Sequence, residues 1–401
     1  MSAFLASALD VLANSPSVPL LVNYFGIYIG IVPAAFFLAT HLRHIEIRAI
    51  DLLVLAVLTA LVPVAFQLSQ LPLNIFGNYL RFLYPIIAVW FWSASRVPAD
   101  ELVAALYPAL WKATLAAVVL YIAFTATGVA NRPAQHFPEL LFLFAVTLRE
   151  RRYLHLFAIV VLSVISAKES LYVALVAMIA ANAFLRRQWA AVFVLTAFVL
   201  VIQIWNFNPI FYVLYELGGN FARAADVMTD ALYYGVNERE LDAVVSNRVS
   251  EYISIWQDWM DHGVPWLGRG LGGTVMVTLG YAGIAVERST LHNSFLVAFH
   301  TLGLGGAYFL WRYYLSTAVR IANVSPTLFV AQVGILAYAL FSNTLMTKPA
   351  MVLIAAASWH LVRGRAGIRL LRHGLRSPWP TVPVDSNELR GLNASARPNG
   401  R

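Results

Sequence analysis

Uninterrupted apolar blocks of about 17–22 residues recur along this chain, and each is long enough to cross roughly 30 Å of hydrocarbon as a helix. Such blocks have no polar face to turn to water. The sequence is 60% hydrophobic and only 12% charged, against roughly 25% charged in soluble domains. The bilayer is therefore read as the solvent. A β-barrel is excluded, because the blocks are continuous and do not alternate apolar with polar. The expected fold class is all-α, a polytopic membrane helical bundle.

Eleven spans are expected near 19–40, 50–69, 79–95, 103–126, 138–148, 154–166, 171–185, 190–206, 292–311, 327–344 and 349–362. Ala3–Ala13 carries Asp10 and is too short to span, so it reads as an interfacial piece. Alternating the faces puts Arg43, Arg48, Arg96, Arg149, Arg151, Arg152, Arg186, Arg187, Arg312, Arg320 and the basic tail on one side. The short loops opposite hold Arg132, Lys168 and Lys348, with Arg81 at a span end. The richer side is cytoplasmic by the positive-inside rule, and the net charge of +8 reflects topology rather than nucleic-acid binding. Four segments follow: a bundle over 1–206, a large outer loop over 207–291, further spans over 292–362, and a basic, disordered tail over 363–401.

The outer loop breaks the rhythm. Glu238–Asp261 reads as an amphipathic helix with apolar residues at Leu241, Val244, Val245, Val249, Tyr252, Ile253, Trp256, Trp259 and Met260, and His262-Gly263 reads as its stop. An irregular glycine-rich stretch, Gly268–Gly273, follows. It does not read as a nucleotide motif, since no strand precedes it. A loop this long within a compact protein is usually functional.

Three groups of residues could carry chemistry. Arg248 lies in helical register with Val244, Tyr252 and Ile255, so its guanidinium needs either an anionic ligand or a local carboxylate. His292-Asn293 stands where the loop enters the ninth span, a place suited to a general base beside an orienting amide, with His300 eight residues on and within about 80° on the helix face, placed to back it up. The outer-face cations Arg81, Arg132, Lys168, Arg269 and Arg288 together suit an anionic ligand. The carboxylates Asp226, Asp230, Glu238, Glu240, Asp242, Glu251, Asp258 and Asp261 are scattered, without metal-ligand spacing. The chain has no cysteine, which removes thiolate metal sites and a cysteine nucleophile. No metal and no cofactor are expected.

His292-Asn293, nine residues and then Gly303-Leu304-Gly305-Gly306 resemble the motif of the O-antigen ligase and polymerase superfamily of bacterial envelope glycosyltransferases. Arg248 with Trp256, Pro265, Gly268, Gly270 and Gly272 is similar to that family's run of conserved types in its large periplasmic loop. The resemblance implies a GT-C-like fold in the bacterial inner membrane, with its active site facing the periplasm. It also implies metal-independent, inverting transfer of a glycan from an undecaprenyl-pyrophosphate-linked donor to a lipid or glycan acceptor. His292 would be the base, Arg248 a pyrophosphate ligand and Asn293 a substrate contact. Lys168 stands where the family often has a Ser-Arg pair, and eleven spans fall short of the twelve usual in the ligase. The alternative is a transporter or flippase of an anionic lipid-linked sugar, which would need charged residues deep in its spans; Asp51 and Lys112 are the candidates.

Overall fold

The computed structural model describes residues 39–40, 47–67, 72–95, 99–126, 139–166, 169–188, 190, 248–262, 266–279, 284–288, 291–342, 345 and 349–374. Arg132, Lys168, Lys348, most of the first expected span, the block near 190–206 and the tail beyond 374 lie outside the described residues. The chain divides into two units, Met1–Val362 and Arg363–Arg401, and every cluster discussed below lies in the first.

The described residues are mostly helical. In chain order the first unit holds α1 (Ala49–Gln67), α2 (Pro72–Ser95), α3 (Ala99–Ala126), α4 (Glu139–Glu150), α5 (Tyr153–Ser166), α6 (Glu169–Leu185) and α7 (Arg248–His262). A hairpin of β1 (Val275–Leu279) and β2 (Ile284–Arg288) follows, then α8 (Ser294–Leu302), α9 (Leu304–Leu310), a π-helical turn (Trp311–Leu315), α10 (Ser316–Ile321) and α11 (Pro326–Leu340). The last helix, α12, begins at Pro349 and is described to Gly374.

Among the described residues, helices occupy the expected apolar stretches, but their lengths differ from the expectation. Among the described residues only α1 is long and apolar enough to cross a membrane by itself. α4, α5 and α6 have 12, 14 and 17 residues, which makes them roughly 18–26 Å long. Eleven full-length spans are therefore not supported at the level of helix length. Large apolar side chains are nonetheless exposed in helical stripes: Leu53, Val57 and Val64 on α1, Leu115, Val119 and Ile122 on α3, and Leu154, Phe157 and Val161 on α5.

The core packs α11 against α6 and α4. Gly334 on α11 allows the close approach, because a Cβ there would collide with the side chain of Met178 on α6. Trp92 on α2 donates its indole N–H to the Leu353 carbonyl on α12 at 2.9 Å, and Gln332 on α11 donates to the Tyr314 carbonyl at 3.2 Å.

A buried ion pair joins α1 to the π-helical turn. Asp51 Oδ1 accepts from Arg312 Nε at 3.2 Å, from Arg312 Nη2 at 2.5 Å and from the Tyr313 hydroxyl at 2.8 Å. Trp359 Nε1 donates to the Arg312 carbonyl at 3.1 Å. Arg312, expected in a cytoplasmic loop, is instead buried within the π-helical turn. The Arg312 carbonyl also accepts from Ser316 Oγ at 2.9 Å.

Three further expectations need correction. The ninth span is not one helix over 292–311. It breaks at Gly303, whose φ of 57° and ψ of −134° suit only glycine, and helical structure resumes through the π-helical turn to Ile321. Second, Val275–Arg288 forms an antiparallel hairpin pairing Val275 with Arg288 and Leu279 with Ile284. Val275 and Val277 point into the core while Met276 and Thr278 face out, the two-residue period of a half-buried strand. Third, α7 is rotated relative to its hydrophobic pattern, although Trp259 from that pattern, together with Ile255, does meet the core. Ile253, Trp256 and Met260 are exposed, whereas Glu251, Ser254 and Ile255 are buried. The cause is the partner: the inner face of α7 meets the polar backbone of the hairpin and of α8, as in the hydrogen bond from Thr278 N–H to Ser254 Oγ at 3.3 Å.

Candidate active site

Asn293 fixes where α8 begins. Its backbone is extended, and its side-chain oxygen accepts the N–H groups of Phe295 and Leu296 at 2.8 and 3.2 Å, satisfying two of the helix's free donors. Its amide then donates to the Tyr252 hydroxyl at 3.1 Å, which donates to the Leu340 carbonyl at 3.1 Å. Ser294 Oγ donates to the Ser342 carbonyl at 2.7 Å and accepts from Leu345 N–H at 3.1 Å. The chain entering α8 is thus held from α7 on one side and from the end of α11 on the other.

His292 precedes this cap. Its main-chain N–H donates to both oxygens of Glu251, at 3.1 and 3.2 Å. The Glu251 side chain is fully buried, while the His292 side chain above it is 42% exposed. His292 Nδ1 lies 3.3 Å from Glu251 Oε1 and 3.1 Å from Arg288 Nη1, and Arg288 Nη1 is 3.7 Å from Glu251 Oε1. One ring nitrogen cannot serve both neighbours. If Nδ1 carries the proton it donates to Glu251, and Nε2 is left as a free acceptor. If Nδ1 is bare it accepts from Arg288, and Nε2 holds the proton. The 3.1 Å contact from Arg288, which can only donate, belongs to the second tautomer; the first needs the Arg288 donor to turn away from the ring.

A second cluster lies at the other end of α8. Asp258 on α7 accepts from Arg269 Nε at 3.1 Å and also from Arg269 Nη2. Burial alone would raise the Asp258 carboxyl. The Arg269 hydrogen bonds and charge, with His300 and His262 beyond, hold it below the usual carboxylate range. The main-chain N–H groups of Arg269 and Gly270 donate to the carbonyls of His300 and Thr301 at 2.7 and 3.0 Å, closing the C-terminus of α8. Asn78 on α2 donates to the Leu271 carbonyl at 2.5 Å and accepts from Arg81 Nη1 at 2.9 Å. Arg81 is buried, and its Nε has no hydrogen-bond partner among the described residues.

Glycine is required where these pieces meet. Gly268 has φ +73°, and a Cβ on it would lie 2.5 Å from the Thr301 carbonyl carbon. Gly306 packs so tightly on Ala298 that a Cβ would overlap its carbonyl oxygen, whereas Gly305 faces open space, with only Leu302 Cβ at 3.8 Å.

The structure therefore gathers His292, Asn293 and Arg288 at one end of α8, and Arg269 at the other, linked through Leu271 and Asn78 to Arg81. Arg248 is the first described residue of α7 and precedes Glu251 and Tyr252 by one turn on the same face; its side chain lies outside the described residues. His300 does not back His292. It sits about 12 Å further along α8, with Nδ1 4.0 Å from Asp258 Oδ2. Sequence reasoning missed Glu251, counted only among scattered acids, and took Tyr252 for packing. Their position one turn after Arg248, on its face, was the signal available.

No protein-family model matches the sequence, and no curated protein matches it.

Proposed function

We propose that the chain is a polytopic transferase of the bacterial inner membrane that moves a glycan from undecaprenyl pyrophosphate to an acceptor hydroxyl at the periplasmic face. The observation that carries this reading is the pairing of a fully buried Glu251 with a half-exposed His292 beside Arg288. In the tautomer that donates Nδ1–H to Glu251, Nε2 is a base. In the step itself the acceptor O–H gives its proton to His292 Nε2, and the acceptor oxygen attacks the anomeric carbon. The bond from that carbon to the phosphate oxygen breaks on the opposite face, and its electron pair leaves on the lipid pyrophosphate. Arg288, 3.7 Å from Glu251, turns from the imidazole in that tautomer and can meet the developing negative charge.

Arg81 adds support. Arg81 is a buried guanidinium whose hydrogen-bond partner among the described residues is a neutral amide, and a phosphate would suit its charge. The exposed apolar stripes on α1, α3 and α5 suit contact with lipid. The eleven-span topology, with 207–291 outside and the tail inside, belongs to this same reading.

The test is transfer by the purified full-length protein from an undecaprenyl-pyrophosphate-linked glycan. His292→Ala should lower turnover by about 10²–10⁴ while melting as the wild type does. Near-normal turnover would remove His292 from catalysis and this reading with it.

A further inference from the structure

A cavity of about 960 Å³ opens between α3, α5 and the N-terminus of α11, at the end of the bundle that carries Arg149, Arg151 and Arg152. None of its lining residues belongs to the clusters around α8. Three features favour an anion there. Lys112 is an exposed ammonium on its wall, with no carboxylate partner among the described residues. Arg152 stacks its guanidinium 4.8 Å over the Tyr107 ring and shares its charge with Glu150, Nε to Oε2 2.6 Å. Ser325 and Thr327 bring in the N-terminus of the 15-residue helix α11, with the positive end of its dipole.

The cavity also has an apolar side. Leu115 lines it and continues along α3 into Val119 and Ile122, at i+4 and i+7, all exposed. Lys112 stands at the foot of that stripe, one turn before Leu115. The Trp111 indole N–H on the same wall is buried with no hydrogen-bond partner among the described residues, a donor still to be satisfied. Cations at one end and an exposed apolar stripe at the other match an amphipathic anion rather than a free one.

We propose that this cavity binds the phosphate-bearing headgroup of an anionic lipid, with Lys112 and Arg152 on the phosphate and the acyl chains along Leu115, Val119 and Ile122. The membrane setting comes from the reading above, but the site is independent of glycan transfer. Binding is measured without a transfer reaction, so failure of one leaves the other standing.

The full-length protein, purified in an uncharged detergent, is titrated with dioleoylphosphatidylglycerol, dioleoylphosphatidylcholine or sodium phosphate, and bound lipid is read by native mass spectrometry. Phosphatidylglycerol should bind saturably. Lys112→Gln and Arg152→Gln should each weaken it about tenfold, the loss of one charge-assisted hydrogen bond. Arg320→Gln, which removes an exposed charge outside the cavity, should leave binding unchanged. Both cavity variants should melt like the wild type in the absence of lipid. Equal binding of phosphatidylcholine, indifference to Lys112→Gln, or displacement of the lipid by equimolar inorganic phosphate would each overturn the proposal.

Discussion

Gly268 and Gly303 meet backbone to backbone: a Cβ on Gly303 would come within 2.8 Å of the Gly268 nitrogen and 2.6 Å of the Trp266 carbonyl. Both have positive φ, 73° and 57°. The first follows α7 and the second splits the run after His292, so the outer loop and the broken helix are closed against each other by two residues that lack side chains. Gly303→Ala should therefore cost about 2–4 kcal/mol, from strain and collision together. Gly305→Ala, in the same short motif but facing open space, should be neutral or mildly stabilising. Melting temperatures of the two variants in one detergent decide it, and equal damage from both would contradict the packing described.

Glu251→Gln tests the base assignment without changing shape. The amide oxygen can still accept the His292 main-chain N–H, but the charge that favours Nδ1 protonation is gone. Turnover should drop by about 10²–10⁴, as when a carboxylate partner of a catalytic histidine is neutralised, with a much smaller change in melting. A lowered melting temperature at unchanged turnover would make Glu251 a structural acid.

Arg248 precedes Glu251 by one turn of α7. If its guanidinium grips a pyrophosphate through paired donors, Arg248→Lys should cost about 2–4 kcal/mol of transition-state stabilisation, roughly 10²–10³ in rate. If it pairs with a carboxylate of the protein, lysine should serve and only stability should suffer. Turnover and melting of that one variant, measured side by side, separate the two.

Asp258 gives a prediction in pH. Its folded-state pKa is depressed, chiefly by Arg269 acting against the effect of burial. The stabilisation is then fully present above the unfolded value, about 3.9, and is lost as pH falls through the folded value. Acidification below about pH 4 should lower the melting temperature of the wild type more than that of Asp258→Asn. Parallel acid profiles for the two proteins would show that the pair with Arg269 contributes nothing.

Much of the helical layout was legible, because apolar blocks ending in charged residues mark helices whatever surrounds them; Glu139–Glu150 and Tyr153–Ser166 fall within a few residues of expectation. The stop at His262 was legible for the same reason. The orientation of α7 was not. Hydrophobic patterning assumes that the buried face is apolar, and here it meets backbone donors and a histidine 41 residues away. The hairpin was hidden by strands of only five residues beside long apolar helices. Glu251 escaped notice because its partners, His292 and Arg288, come from another element, and no local spacing joins them.

The ion pair between Asp51 and Arg312 sets a condition on how the chain is made. The two residues are 261 apart, so at 5–20 residues per second a ribosome completes Arg312 roughly 15–50 s after Asp51. Throughout that interval the first described helix carries an acid without its counter-charge. A nascent chain stalled or cleaved before Arg312 never acquires it, so the acid on α1 lacks this partner whenever the residues from Arg312 onward are missing.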